Sequence, residues 1–214
     1  MSAIKKKILA FFGAFNPPTR AHIELAKLAM EQTGRDGVIF IPSKASYILD
    51  AQQKSFAFSD EERLNLLDLV SHAVNQPRIW MLVSDHDLLA PVQPRSYETL
   101  KWLRDEGCWE PSLLVGSDQL FGMKDHWLHV PEIAQEFGIV VLARRAFSEE
   151  AILRDPFWKG LKQYVHVVPT PSSTKWISST RIRTNIMEAQ ELLSSLKEDL
   201  TDPVYQYMKE NYLL

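Results

Sequence analysis

The chain is poor in cysteine: Cys108 is the only one in 214 residues. A lone thiol excludes a disulfide framework and a thiolate metal cluster. It fits a reducing compartment, so a cytoplasmic location is expected. An excess of charge of one sign is also lacking, since 24 Lys and Arg stand against 27 Asp and Glu for a formal net charge of -3. That balance provides no basic footprint for a nucleic acid polymer and no reason to expect a membrane partner, so any phosphate site must be local. Long apolar runs are missing as well. The stretch Ile8, Leu9, Ala10, Phe11 and Phe12, ahead of Gly13, is too short for a membrane span or a signal peptide and reads as a buried strand. Repeats, low-complexity tracts and linkers are absent, and the composition, 45% hydrophobic, suits one domain over residues 1–214.

Apolar runs bounded by turn residues recur at 8–12, 38–41, 79–83, 113–115, 139–142 and 165–168, each of strand length. Between them apolar residues fall at helical spacing, as in Ile23, Leu25, Ala26, Leu28 and Ala29, in Leu64, Leu66, Leu67, Leu69 and Val70, and in Leu100 and Leu103. Such alternation predicts βαβ units: an α/β, Rossmann-like, doubly wound fold with a mainly parallel sheet and helices on both faces. Ligands in such folds sit beyond the carboxyl ends of strands. Residues 43–59 are polar and without a clear period, and they read as a long loop beside a site or as a solvated connector.

Two segments have the pattern of helix starts able to hold an anion. In Gly13-Ala14-Phe15-Asn16-Pro17-Pro18-Thr19-Arg20-Ala21-His22, a glycine follows a strand, two prolines stop it, and Thr19 is the expected N-cap of a helix running to Met30. His22 then lies in the first turn, roughly 300° around the helix from Thr19 and so on nearly the same face. A hydroxyl, an imidazole and unpaired N–H groups would converge there on one anion. The same residues also suit an ordinary cap and a solvated histidine, so the pattern alone leaves both readings open. In Trp176-Ile177-Ser178-Ser179-Thr180-Arg181-Ile182-Arg183, capping residues precede a second periodic stretch. Arg181 and Arg183 stand roughly 200° apart on a helix and cannot serve one small site together. Arg183, on the side of Ser179 and Thr180, is the candidate phosphate clamp, and Arg181 is expected at the surface.

These segments resemble those of the nicotinamide or nicotinic acid mononucleotide adenylyltransferase family, over most of the chain. The first is similar to the pattern G-x-F-[DN]-P-x-[HT]-x-x-H and the second to I-S-S-T-x-I-R, with Arg181 at the free position. Ser96-Tyr97-Glu98-Thr99-Leu100 resembles a segment beside the family's mononucleotide site. Leu114-Val115-Gly116-Ser117-Asp118-Gln119-Leu120, with Trp127 downstream, resembles its G-[AS]-D-x-L segment, and residues 202–208 resemble its terminal helix. Ala21 and Thr19 depart from the glycine and histidine that many bacterial members carry; Thr19 matches the eukaryotic form.

The resemblance implies a nucleotidyltransferase-type fold, with the helical part from about 178 completing the nucleotide site. It also implies AMP transfer from ATP to nicotinic acid or nicotinamide mononucleotide in NAD biosynthesis, with Mg²⁺ accompanying ATP. In that reading His22, Thr19 and Arg183 are catalytic, while Gly13, Ala14, Phe15, Asn16, Gly116, Asp118, Ser178, Ser179 and Thr180 surround ATP. Tyr97, Thr99 and Trp127 border the mononucleotide, and Lys44 or Lys54 adds a phosphate contact. A mononucleotide phosphate, mostly a dianion with a second pKa of about 6, needs no general base. Aligning it with the α-phosphorus and neutralising the leaving pyrophosphate is the whole task. Oligomeric state is not readable, and a homo-oligomer is allowed. Three alternatives stand beside this one: a related nucleotidyltransferase with another acceptor, a non-catalytic nucleotide sensor, and a metal-dependent phosphohydrolase built on His86, Asp87, His126 and His129.

Overall fold

The computed structural model describes residues 5–54, 56–75, 80–143, 149–171, 179–180, 182–183 and 197–212. Six strands, β1 (Lys7–Gly13), β2 (Gly37–Pro42), β3 (Trp80–Val83), β4 (Glu110–Gly116), β5 (Ile139–Ala143) and β6 (Val165–Pro169), form one sheet in the order β3-β2-β1-β4-β5-β6. Every neighbouring pair is parallel. The strand order reverses between β1 and β4, which opens a crevice at their carboxyl ends. Both of those strands end in glycine, Gly13 and Gly116.

The helices are α1 (Arg20–Thr33), α2 (Ala45–Asp50), α3 (Asp60–Val74), α4 (His86–Leu89), α5 (Ser96–Asp105), α6 (Ser117–His126), α7 (Val130–Phe137), α8 (Glu149–Arg154), α9 (Pro156–Leu161) and α10 (Asp202–Tyr212). Alternate residues of β1 feed two core layers. Leu9 and Phe11 pack with Leu25 of α1, Leu66 of α3 and Met208 of α10. Ile8, Ala10 and Phe12 pack with Leu100 of α5, Leu120 of α6, Ile133 of α7 and Trp158 of α9. Burial on both faces is why the strands read as unbroken apolar runs.

Each expected strand is found, within a few residues at its ends; position 79 lies outside the described residues. The three predicted helices appear as α1, α3 and α5. The stretch 43–59 is not one long loop, because it contains α2. That helix presents one buried side chain, Ile48, and its first N–H, from Ala45, donates to Asp60 Oδ1 at 2.6 Å. Six residues with a single anchor produce no readable period. The helix starts follow local chemistry. Ser59 and Glu62 exchange hydrogen bonds at the head of α3. Gly34, at φ 62°, ends α1 in the left-handed conformation that glycine adopts without strain. Among the described residues no helix is long and apolar enough to cross a membrane.

Gly37 and Trp80 are register partners on β2 and β3. A Cβ on Gly37 would fall 2.3 Å from Trp80 Cε2. Gly37→Ala is therefore expected to lower stability by about 1–3 kcal/mol. In a Trp80→Val background most of that loss should vanish. Urea unfolding of the four proteins in this cycle measures the coupling, and equal losses in both backgrounds would refute the contact.

Candidate active site

Two adjoining cavities, about 310 and 280 Å³, open at the crevice between β1 and β4 and share Phe12, Gly13, Ala14, Lys54 and Gln119. One is walled by His22, Gly116, Asp118 and the Ser179, Thr180 and Arg183 turn. The other is walled by Tyr47, Gln93, Arg95, Ser96, His126 and Trp127.

Thr19 is the N-cap of α1 and His22 its third residue, as the sequence predicts. The backbone N–H of Thr19 donates to His22 Nδ1 at 3.0 Å, and Thr19 Oγ1 lies 2.8 Å from the same nitrogen. An imidazole here takes the role that Glu or Gln has in a capping box. With Nδ1 accepting, the proton of the neutral ring sits on Nε2. The hydroxyl thus addresses the imidazole, and Thr19, 1% exposed, orients His22. The N–H groups of the helix start are partly committed: that of Arg20 donates to the Asp199 carbonyl at 2.9 Å and that of His22 to the Thr19 carbonyl at 3.1 Å. Side chains rather than backbone must supply most of the positive character.

Those side chains are cations from three segments. Arg183 is nearly buried; its Nη1 donates to the Asn16 carbonyl at 2.7 Å and its Nη2 to Thr180 Oγ1 at 3.2 Å. Ser179 Oγ donates to the Pro17 carbonyl at 2.8 Å. Ser178 and Arg181 lie outside the described residues. Arg63 of α3, fully buried, donates from Nη1 to the Ala14 carbonyl at 2.9 Å and from Nε to the Phe58 carbonyl at 3.1 Å, and it pairs with Asp60 at 2.5 Å. Lys54 lines both cavities. Burial, then repulsion from Arg183 and Arg63, holds the Lys54 ammonium below the ordinary lysine value, and burial also pulls Arg183 below the ordinary arginine value. The other candidate lysine is placed elsewhere. Lys44 Nζ donates to the carbonyls of Leu88 and Ala90 and lines neither cavity.

The turn between β1 and α1 divides its labour. Phe15, at φ 44°, buries its ring edge-on to Phe11, Phe40 and His22. A Cβ on Gly13 would lie 3.0 Å from that ring, so the glycine serves packing as well as access. Asn16 is fully buried: its Nδ2 donates to the Phe56 carbonyl at 2.8 Å and its Oδ1 accepts the Phe58 N–H at 2.9 Å. A Cβ on Gly116 would meet nothing within 4 Å, so the cavity is open there. Asp118 is exposed to the cavity from the second position of α6, whose N-cap is Gly116, and it is not the cap itself.

The mononucleotide candidates separate. Trp127 lines the second cavity, but Tyr97 and Thr99 line neither. Tyr97 turns toward α7, its hydroxyl donating to Glu136 at 2.7 Å and its ring stacking on His129. Thr99 is buried and donates to Asp87 Oδ1 at 2.8 Å. At the head of α5 the residues that do line the cavity are Arg95, its N-cap, and Ser96, its first residue. Arg63, which lines neither cavity but holds the Ala14 carbonyl of their shared wall, is a support the motifs missed, although a charged residue on the Arg63, Leu66, Leu67, Val70 stripe of an otherwise apolar face was a usable signal. Tyr47, Gln93 and Gln119 had no such signal. The histidines do not assemble. His126 ends α6, His129 precedes α7 at φ 62°, and His86 pairs with Asp87 and stacks on Trp102. Among the described residues there is no cluster of three metal-ligating side chains.

A parallel sheet with a cation-lined crevice at its point of reversal suits a phosphate-bearing nucleotide, and its relatives place the chain among the α/β nucleotidyltransferases. A family model described as cytidylyltransferase-like matches residues 10–185, and the chain belongs to that family. It is 24% identical over 211 residues, covering 98% of both chains, to a Listeria monocytogenes (serotype 4b, strain F2365) protein named "Probable nicotinate-nucleotide adenylyltransferase". Its fold is similar to that of the Plasmodium falciparum nicotinic acid mononucleotide adenylyltransferase. The structure complexed with APC has a TM-score of 0.73 at 16% identity, covering 96% of this chain and 95% of that one. The structure complexed with NaAD has a TM-score of 0.72 at the same identity and coverage.

A polyphosphate would supply the counter-charge that Lys54 and Arg183 lack among the described residues. Inorganic pyrophosphate at about 100 times its Kd is expected to stabilise the protein by about 2.7 kcal/mol, a rise of about 5–10 °C in Tm. Lys54→Met should leave the unliganded Tm equal or higher, by relieving repulsion, and should shrink the ligand shift. An unliganded Tm that falls in this variant would make Lys54 structural. The sign with pH follows from the lowered lysine. Just below the ordinary value of 10.5 the unfolded chain holds more protons at Lys54, so the unliganded stability of the wild type relative to Lys54→Met rises with pH there. Bound pyrophosphate should abolish that rise in a pH series of unfolding curves.

Proposed function

We propose that the protein is a nicotinate-nucleotide adenylyltransferase, which transfers AMP from ATP to nicotinic acid mononucleotide and releases pyrophosphate. The carrying observation is the pair of cavities sharing the Gly13 and Ala14 wall, cationic on one side and faced by Trp127 on the other. A triphosphate suits the first and an aromatic mononucleotide the second, and the shared wall is where the reacting phosphate groups would meet. The names of the relatives support nicotinic acid mononucleotide over its amide as the acceptor.

In this reading the acceptor phosphate, ionised at neutral pH, attacks the α-phosphorus in line and the bond to pyrophosphate breaks. No protein nucleophile is required. His22, presenting the Nε2 proton, and Lys54 and Arg183 hold the triphosphate and stabilise charge on the departing pyrophosphate. Gly13, Ala14, Gly116, Ser179 and Thr180 shape the ATP half, with Ser178 assigned there by resemblance alone. Asp118 faces the nucleotide, and Trp127 stacks on the pyridine ring. Thr19, Phe15 and Asn16 act by holding these groups. Mg²⁺ accompanying ATP would supply further neutralisation of phosphate charge.

Pyrophosphate release from Mg-ATP, followed with nicotinic acid mononucleotide and nicotinamide mononucleotide in parallel, tests the proposal. Release that depends on the mononucleotide, faster with the acid, is expected; silence with both would overturn it in favour of another acceptor or a sensor. His22→Ala and Arg183→Ala should each lower kcat by about 10²–10³-fold. Wild-type rates in both would remove the phosphate-site assignment.

A further inference from the structure

Thr99 touches neither cavity, yet it belongs to a buried hub that spans the walls of one of them. Asp87, 1% exposed, accepts from Thr99 Oγ1 at 2.8 Å and from His86 Nδ1 at 2.9 Å on Oδ1, and from Gln93 Nε2 at 2.9 Å on Oδ2. Gln93 Oε1 in turn accepts the backbone N–H of Lys44 at 2.7 Å. Lys44 Nζ closes the loop by donating to the Leu88 and Ala90 carbonyls.

The chain of bonds is directional. A carboxylate only accepts, so Gln93 must turn its NH₂ toward Asp87 and its oxygen toward Lys44. With the amide reversed, an oxygen would face the carboxylate and an NH₂ would face an N–H. The hub ties the segment after β2, which supplies Ser43 and Tyr47 to one wall, to the segment leading into α5, which supplies Gln93, Arg95 and the first helical residue, Ser96, to the other.

We propose that Asp87 is a positioning residue for the acceptor half of the site: through Gln93 and Thr99 it sets the separation of the two walls that receive the mononucleotide, without touching that ligand. The proposal rests on reading the Trp127 cavity as the acceptor half. A buried carboxylate with three donors is suited to this because leaving it unpaired is costly, so its partners are held in one arrangement.

Steady-state kinetics of Asp87→Leu, Asp87→Asn and Thr99→Val against wild type test it. Asp87→Leu is expected to raise KM for nicotinic acid mononucleotide about tenfold and to leave KM for ATP within about twofold. Asp87→Asn should recover to within about threefold, because its oxygen can accept from Gln93 while its NH₂ donates to Thr99 Oγ1 and to a neutral His86. Thr99→Val keeps the side-chain shape and should raise the acceptor KM by about threefold, which gives the same readout if Asp87→Leu does not fold. Equal rises in both KM values, no rise in either, or an asparagine variant as defective as the leucine variant would overturn the proposal. Equilibrium binding of nicotinic acid mononucleotide separates the two possible failures. An inactive wild type that binds it, with binding lost in Asp87→Leu, overturns the functional reading and upholds the hub, whereas an inactive wild type that does not bind it overturns both.

Discussion

The turn from β1 into α1 is held by hydrogen bonds from segments far away in the sequence, and the crevice takes its shape from that clamp. Arg63 fixes the Ala14 carbonyl, Arg183 the Asn16 carbonyl and Ser179 the Pro17 carbonyl, while the Asn16 side chain grips the backbone at Phe56 and Phe58. A turn in this position cannot be buried unless its carbonyls find donors. Here the donors are mostly charged groups, whose hydrogen bonds are the strong ones.

The arrangement couples folding to charge. Lys54, Arg63 and Arg183 are gathered where burial disfavours their charged forms, with Asp60 paired to Arg63. Arg183 is oriented by a backbone carbonyl before any ligand arrives, so under the proposed function it would need little reorganisation to meet a polyanion. His22 is oriented in the same way by Thr19. The sheet's reversal between β1 and β4 supplies the space, since the helices that follow these two strands lie on opposite faces and leave the strand ends uncovered.

Much of this was legible in the chain. The apolar runs marked all six strands, because a sheet covered on both faces needs continuous apolar segments. Thr19 and His22 could be assigned to the head of a helix, since capping is a local matter of a few residues. The relation of Arg183 to Thr180 followed from helical geometry alone. Less was legible where neighbours decide. Lys44 and Lys54 stand in one polar stretch with equal claims, and only packing sends the first to the Leu88 and Ala90 carbonyls and the second to the crevice. Tyr97 and Thr99 lie in a segment that resembles a substrate site, yet the rotation of α5 turns one toward Glu136 and the other toward Asp87.

The sequence by itself therefore determined the order of strands and helices, the capped turn from Gly13 to His22 and the parallel α/β class, because these depend on periodicity, capping and turn chemistry among residues close in the chain. Only the tertiary structure decided which cations face the crevice, that Arg63 holds the Ala14 carbonyl behind it, and that Asp87 gathers His86, Gln93 and Thr99. Those outcomes depend on contacts between residues separated by tens of positions, and a side chain's partner across such a distance is set by how helices and loops pack on the sheet.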